Sequence, residues 1–170
     1  MRLFVAAWPS PAVREVLRGL VGTEVVGLRA TPEERWHVTL RFLGEVDGAE
    51  TVTEAVRAAV AGLEPTTASL GPATVHLGGV FALPVAGLDE LAASVTDATA
   101  HLGVPPERRP FQGHVTIARA RGRQALPDPV GIEAVAATSS WTVTEVAVVR
   151  SHLGEGHRYE TLASLPLSPG

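Results

Sequence analysis

The sequence contains no cysteine and no lysine, and all 14 of its basic residues are arginines. The absence of cysteine excludes disulfide bonds, thiolate nucleophiles and metal sites built on thiolates. Any catalysis must therefore use other side chains, and the core must hold together by packing alone.

Long apolar runs are also absent, because nothing in the chain reaches the length needed to cross a membrane. The opening segment, residues 1–9, has only a brief apolar run before a proline, which is too short for the hydrophobic region of a signal peptide. We therefore expect a cytoplasmic protein without a membrane partner.

The composition predicts a folded protein, since 45% of the 170 residues are hydrophobic. We expect a single domain over residues 1–170, divided into two closely packed lobes. The formal net charge of -4 argues against a protein that coats nucleic acid through bulk charge. Several arginines nevertheless flank two histidine motifs, and the planar guanidinium suits a small or terminal phosphate. Genome composition explains the exclusive use of arginine equally well.

Two short segments share the pattern His-Val-Thr followed by Leu or Ile. In a strand, residues i and i+2 point to the same face, so each segment sets an imidazole beside a hydroxyl. An imidazole exchanges a proton near neutral pH, and a threonine hydroxyl can donate to an oxyanion. The pair therefore offers acid, base and anion binding in one site. The segments are His37-Val38-Thr39-Leu40 and His114-Val115-Thr116-Ile117.

Strict alternation gives each motif strand a cleft face and a core face. Phe42 and Arg119 then fall on the core face. They reach the cleft only if the strand ends, twists or bulges just after the motif, as strands often do beside active sites. The residues that alternation puts on the cleft face are His37, Thr39 and Arg41 in the first strand and His114, Thr116 and Ala118 in the second.

Hydrophobic periodicity predicts helices over residues 11–20, 48–63 and 87–102. Strands are predicted over residues 2–8, 24–28, 69–77, 80–83, 141–150 and 159–165, and at both motifs. The glycines at 78–79 and 154–156 predict two hairpins, residues 124–131 a loop and residues 132–137 a short helix. A helix precedes each motif strand. We infer an α+β fold of two pseudo-symmetric lobes of mainly antiparallel sheet, with helices outside and a central cleft.

With these motifs the chain resembles the two-histidine (2H) phosphoesterases, and within them the RNA 2',3'-cyclic phosphodiesterases, also called the LigT-like or 2'-5' RNA ligase family. The resemblance extends over nearly the whole chain and is most specific at residues 37–45. The valine between each histidine and threonine departs from the usual leucine or isoleucine, and Gly113 replaces a frequent proline. The matching blocks are residues 2–6, 37–45, 110–119 and 150–153, with Gly156 and Tyr159.

The resemblance implies hydrolysis of a 2',3'-cyclic phosphate at an RNA end or on a nucleotide to a 2'-phosphate, without a metal or cofactor. The reverse joining to a 5'-hydroxyl is a possible second activity. By similarity His37 is the proton donor and His114 the proton acceptor, with Thr39 and Thr116 on the phosphate oxygens. The predicted substrate-binding residues are Phe42 against the base, Arg119 on the phosphate, Arg41, and Trp36 at the border of the base pocket. We expect a monomer that needs no protein partner.

Three alternatives remain open at the level of sequence. The first is a binding module for terminal phosphates. The second is a 2H hydrolase of another cyclic or 2'-5' phosphodiester, and the third is a metal-dependent enzyme. His-x-Thr lacks the paired ligands of a metal site, which weighs against the last. The other four histidines, at positions 76, 101, 152 and 157, are interpreted as structural.

Overall fold

The computed structural model describes residues 1–21, 28–120, 139–154 and 157–169. In these ranges the helices are α1 (Pro11–Val21), α2 (Ala49–Val60) and α3 (Asp89–Ala98), with a 3-10 turn at Glu33–Arg35. The strands are β1 (Arg2–Ala7), β2 (Leu28–Ala30), β3 (Val38–Glu45), β4 (Ala61–Gly62), β5 (Thr66–Leu70), β6 (Val75–Leu77), β7 (Val80–Ala86), β8 (His114–Ala120), β9 (Ser139–Val143), β10 (Glu145–His152), β11 (Arg158–Pro166) and β12 (Ser168–Pro169).

Ten of the strands form one antiparallel sheet, whose main path runs β11-β10-β1-β3-β8-β7-β5-β9. β2 adds to β8, and β6 adds to β7. The two motif strands, β3 and β8, are neighbours at the middle of this path, and one residue pair, Val38 with Val115, joins them. Each half of the sheet therefore contributes one motif strand to the centre, as the two-lobed prediction required.

The two faces of the sheet differ in what covers them. One face packs against all three helices in the main core, which takes Leu3 and Val5 from β1 and Val38 from β3. The other face carries a second, small cluster of Phe4, Ala6, Ala147 and Val149. Alternation along β1 thus separates a helix-covered core from a cleft-facing surface.

The three helices predicted over residues 11–20, 48–63 and 87–102 form, although the second and third are shorter than expected. Ser10 caps α1, with its Oγ accepting from the Val13 amide at 3.3 Å. α3 ends at Ala98 because the following segment turns onto β3, where the Val104 amide donates to the Leu43 carbonyl at 2.8 Å. Gly103 makes this approach with φ +64, and a Cβ there would lie 2.0 Å from the Leu43 carbonyl oxygen. None of the described helices is long and apolar enough to cross a membrane.

Two predicted strands are wrong in extent. The long strand over residues 141–150 divides at Thr144, because β9 pairs with β5 in one half of the sheet and β10 pairs with β1 in the other. The strand over residues 69–77 divides into β5 and β6 around Gly71-Pro72. Both predicted hairpins form, β6–β7 and β10–β11. Residues 22–27 and 121–138, which hold most of the predicted strand 24–28, the loop 124–131 and the helix 132–137, lie outside the described ranges.

Candidate active site

The first motif strand contains the bulge on which its predicted chemistry depends. Along β1, Ala6 pairs with Thr39, Val5 with Arg41 and Phe4 with Phe42, so that Leu40 is an extra residue without a partner on β1. An extra residue reverses the alternation beyond it. Phe42 therefore returns to the face of Thr39, and its side chain is 38% exposed.

The second motif strand has a bulge at the equivalent position. Along β7, Ala82 pairs with Thr116 and Phe81 with Ala118, so that Ile117 is the extra residue on β8. Arg119 is thereby brought to the face of Thr116 and is exposed. The expected irregularity after each motif is confirmed, and in both strands the first, third and sixth motif positions share one face.

The pairing of Val38 with Val115 fixes how the two motifs meet. Both valines are fully buried, so their neighbours along each strand point to the opposite, cleft-facing side. In an antiparallel pair this sets Thr39 across from His114 and Thr116 across from His37. The two histidines are then diagonal neighbours, with backbones about 7–8 Å apart.

Each histidine is oriented by the carbonyl two residues before it. The Nδ1 of His37 lies 2.6 Å from the Arg35 carbonyl oxygen, and the Nδ1 of His114 lies 2.7 Å from that of Gln112. A carbonyl only accepts, so Nδ1 carries a proton in both rings and Nε2 is the atom that exchanges one. The Nε2 of His37 lies 3.0 Å from the Thr39 hydroxyl.

Aromatic rings surround His37. Its ring centroid lies 4.9 Å from that of Phe4, 5.3 Å from that of Tyr159 and 5.7 Å from that of Trp8. Burial is the main cause that lowers the pKa of His37 to about 4. The hydrogen bond to the Arg35 carbonyl opposes this shift, and the charges of His114 and Arg119 add to it. At neutral pH the free protein therefore holds His37 uncharged.

The two motifs open into a cavity of about 170 Å³. Sequence reasoning identified six of its lining residues by role, and named Ser151 and Tyr159 as cleft candidates. It missed Arg2 and Phe4, although alternation in β1 already sets them on one face with Ala6 and Trp8. The lining residues are Arg2, Phe4, His37, Thr39, Phe42, His114, Thr116, Arg119, Ser151 and Tyr159.

Two predicted substrate-binding residues lie outside this cavity. The bulge turns Arg41 to the core side, where it is 5% exposed and donates to the carbonyl oxygens of Phe42, Leu102 and Val104. Its prediction assumed unbroken alternation, and the side chain instead secures the segment after α3 against β3. Trp36 is 2% exposed and belongs to the main core. Neither residue therefore lines the cavity of the two histidines, and Arg41 instead lines a second, larger groove beside it.

Three histidines outside the motifs, His101, His152 and His157, are not among the described residues that line the cavity. His152 pairs with Glu160, a diagonal neighbour on β11, at 2.7 Å. His101 and His157 are exposed. Among the described residues, no group of three His, Asp or Glu side chains could hold a metal ion.

Sequence comparison gives the chain a family. The family model of the 2'-5' RNA ligase superfamily matches residues 9–155. An RNA 2',3'-cyclic phosphodiesterase of Geobacillus stearothermophilus is 31% identical over an alignment of 147 residues, and the match covers 79% of this chain and 46% of that protein. The chain thus spans just under half the length of this relative.

Structural comparison confirms the predicted α+β fold. The protein TT0787 of Thermus thermophilus superimposes with a TM-score of 0.83 at 25% identity, over 98% of each chain. A structure described as a phosphoesterase gives 0.79 at 27% identity, again over 98% of each chain. LigT of E. coli in complex with 3'-AMP gives 0.76 at 26% identity, with the same coverage.

Proposed function

We propose, since the chain belongs to the 2'-5' RNA ligase superfamily, that its cleft hydrolyses a 2',3'-cyclic phosphate, at an RNA end or on a nucleotide, to a 2'-phosphomonoester. The observation that carries the proposal is the pair of histidines set diagonally across Val38 and Val115, each with Nε2 free of its backbone anchor. Hydrolysis of a cyclic phosphate needs one group that takes a proton and one that gives a proton, on opposite sides of the phosphorus.

In the proposed reaction a water oxygen attacks phosphorus and loses a proton to the Nε2 of His114. The bond from phosphorus to the ribose 3'-oxygen breaks, and that oxygen takes a proton from the Nε2 of His37. The phosphate stays on the 2'-oxygen. Thr39 and Thr116 donate to the non-bridging oxygens, where preorganised donors hold the charge that the transition state spreads over them. No metal or cofactor enters this scheme.

The cavity offers separate side chains for the phosphate and for the base of the substrate. Arg119 offers a guanidinium to the phosphate, and Phe42 offers a partly exposed ring for stacking on the base. The Arg2 guanidinium lies over the Phe42 ring, with its Cζ 4.9 Å from the ring centroid. A base on Phe42 would therefore be bordered by a cation as well.

The direction of proton transfer depends on what the substrate does to His37. With a pKa of about 4, His37 in the free protein is neutral at pH 7, which by itself suits an acceptor. A bound phosphate anion beside the ring favours its charged form and raises the pKa. The donor role of His37 therefore requires the substrate to supply this shift, and if it does not, the roles of the two histidines exchange.

The experiment is incubation with a 2',3'-cyclic mononucleotide and with RNA bearing a 2',3'-cyclic end, in buffer with a strong chelator. We expect a 2'-phosphate product and a bell-shaped dependence of kcat/KM on pH, because one histidine must be neutral and the other protonated. A 3'-phosphate product would exclude this subfamily of reactions. Tight binding without turnover would identify a binding module, and turnover only of another cyclic or 2'-5' phosphodiester a different hydrolase of the family.

Several finer expectations stay predictions. By microscopic reversibility the same two groups would join a 2',3'-cyclic end to a 5'-hydroxyl, with their roles exchanged. That the chain acts as a monomer, as one domain and in the cytoplasm is equally a prediction from the sequence.

A further inference from the structure

A second arginine stands directly beside the proposed phosphate ligand. β2 runs antiparallel to β8, and its register pairs Leu28 with Ala120, Arg29 with Arg119 and Ala30 with Ala118. Directly opposite residues of a ladder point to the same face, with Cβ atoms about 5 Å apart. Arg119 lines the cleft cavity, so Arg29 projects from the same face at its edge.

The two arginines form an unfavourable pair in the absence of a ligand. Like charges directly opposite each other on a ladder destabilise it. Both side chains are exposed, and within the described ranges neither makes an ion pair with a carboxylate, whereas Arg18, Arg57 and Arg109 all do. An arrangement that repels itself and lacks counter-charges in the described part of the chain is suited to an anion from outside.

We propose that Arg29 binds a second phosphate of the substrate, the phosphodiester on the 5' side of the nucleotide that carries the cyclic phosphate. The site then prefers an RNA end to a mononucleotide. This inference rests on the proposed function, in that Arg119 must hold the cyclic phosphate itself. A 2',3'-cyclic phosphate closes the 3' end of a strand, so the rest of the strand leaves the site in the 5' direction and presents its next phosphate close by.

Charge around the cleft favours the Arg29 side as the exit for this strand. A larger groove of about 730 Å³ adjoins the cavity at Thr39, Phe42 and His114. Its lining holds the carboxylates of Asp89, Asp97 and Glu107 and the guanidinium groups of Arg41 and Arg109. Arg41 is buried and Arg109 pairs with Glu107, so the exposed Asp89 and Asp97 of α3 make this wall unfavourable for a phosphate backbone. The edge of the cavity near Arg29 instead presents two guanidinium groups, those of Arg29 and Arg119.

The test compares two substrates, a 2',3'-cyclic mononucleotide and a triribonucleotide that ends in the same cyclic nucleotide. In Arg29→Gln we expect the ratio of kcat/KM for the trinucleotide to that for the mononucleotide to fall about tenfold, through KM. The slope of log KM for the trinucleotide against log salt concentration should fall by about 0.7, the value for one phosphate contact on a single strand.

Arg57→Gln is the matched control, because Arg57 is an exposed arginine of α2 paired with Glu54 and lies outside both cavities. It should leave the ratio and the slope as in the parent protein. An unchanged ratio in Arg29→Gln, or an equal loss on both substrates, would overturn the second phosphate site.

Failure of the proposed function would look different. If the parent protein turns over neither substrate, the test moves to binding of a fluorescent triribonucleotide with a 3'-terminal phosphate. Weaker binding by Arg29→Gln with a reduced salt slope would then still support the site, and equal binding would overturn it.

Discussion

The two motif strands have a bulge at the same position and differ in the side chain that this bulge brings to the cleft. In β3 and β8 the residue after the threonine is an extra one, Leu40 or Ile117, and the sixth position returns to the cleft in both. That position is Phe42 in one strand and Arg119 in the other. A duplicated backbone device thus presents an aromatic ring on one wall and a cation on the other, which are complementary means of holding a nucleotide.

The histidines differ through their surroundings alone. Three aromatic rings lie around His37, and among the described residues no ring contact of this kind involves His114. The same residue type with the same backbone anchor therefore stands in two different environments, and burial lowers the pKa of His37. Different environments are what assign different roles to two titratable groups in one site.

Removal of either histidine should have the largest effect. We expect His37→Ala and His114→Ala each to lower kcat by about 10²- to 10⁴-fold, because proton transfer to or from the reacting group is lost. Circular dichroism and steady-state kinetics on a cyclic mononucleotide check this. His152→Ala, which disrupts only the pair with Glu160, is the matched control and should retain full activity. Full activity in a folded His37→Ala or His114→Ala protein would end the assignment of that histidine.

Substitution of Arg119 and of Phe42, the sixth residues of the two motifs, should have different effects on different substrates. Arg119→Gln should lower kcat/KM about 10- to 100-fold on any cyclic phosphate, because a charge-assisted contact to the phosphate is lost. Phe42→Leu should raise KM about three- to tenfold, and only for substrates with a base, because stacking is lost while an apolar side chain remains.

An abasic ribose 2',3'-cyclic phosphate distinguishes the two effects. It should respond to Arg119→Gln and not to Phe42→Leu. A loss in Phe42→Leu that is as large on the abasic compound as on the nucleotide would show that Phe42 acts on the geometry of β3 and not on the base.

The last prediction concerns stability and not activity, and it depends on pH. The pKa of His37 falls from 6.5 to about 4 on folding. Below 6.5 the unfolded chain binds a proton that the native state does not, so stability is lost as the pH falls from about 6.5 to about 4. The loss amounts to at most about 3 kcal/mol. Urea unfolding of the parent protein and of His37→Phe at several pH values measures it.

His37→Phe should lack this part of the pH dependence, and His114→Gln should keep it. Equal pH dependence in the parent protein and in His37→Phe would mean that the aromatic surroundings do not exclude water from His37, and the contrast between the two histidines would lose its basis.

The sequence predicted the parts of the molecule that local patterns determine. Helical stripes gave all three helices, and repetition of His-Val-Thr gave the four central site residues. Alternation also indicated an irregularity after each motif, because Phe42 and Arg119 could reach the cleft only if the strand ended, twisted or bulged there. The bulge at Leu40 also turns Arg41 to the core face of β3. Strict alternation therefore placed this side chain on the wrong face.

What the sequence did not predict depends on contacts between distant segments. The division at Thr144 reflects a chain that crosses from β5 to β1, and no local signal marks it. The early end of α3 depends on the docking of Val104 on Leu43, 61 residues away. Arg29 became relevant only through its register with Arg119. Pairing partners are decided by the whole sheet and not by either strand.

The pair of Val38 with Val115 is also a mechanical centre. It is the ladder pair that joins β3 to β8, and the proposed acid and base are the immediate neighbours of its two members along the chain. When two bodies turn about a point, displacement grows with distance from that point. A change of angle between β3 and β8 about this pair would therefore alter the span between the two imidazoles less than the positions of Phe42 and Arg119, which lie farther from it along their strands.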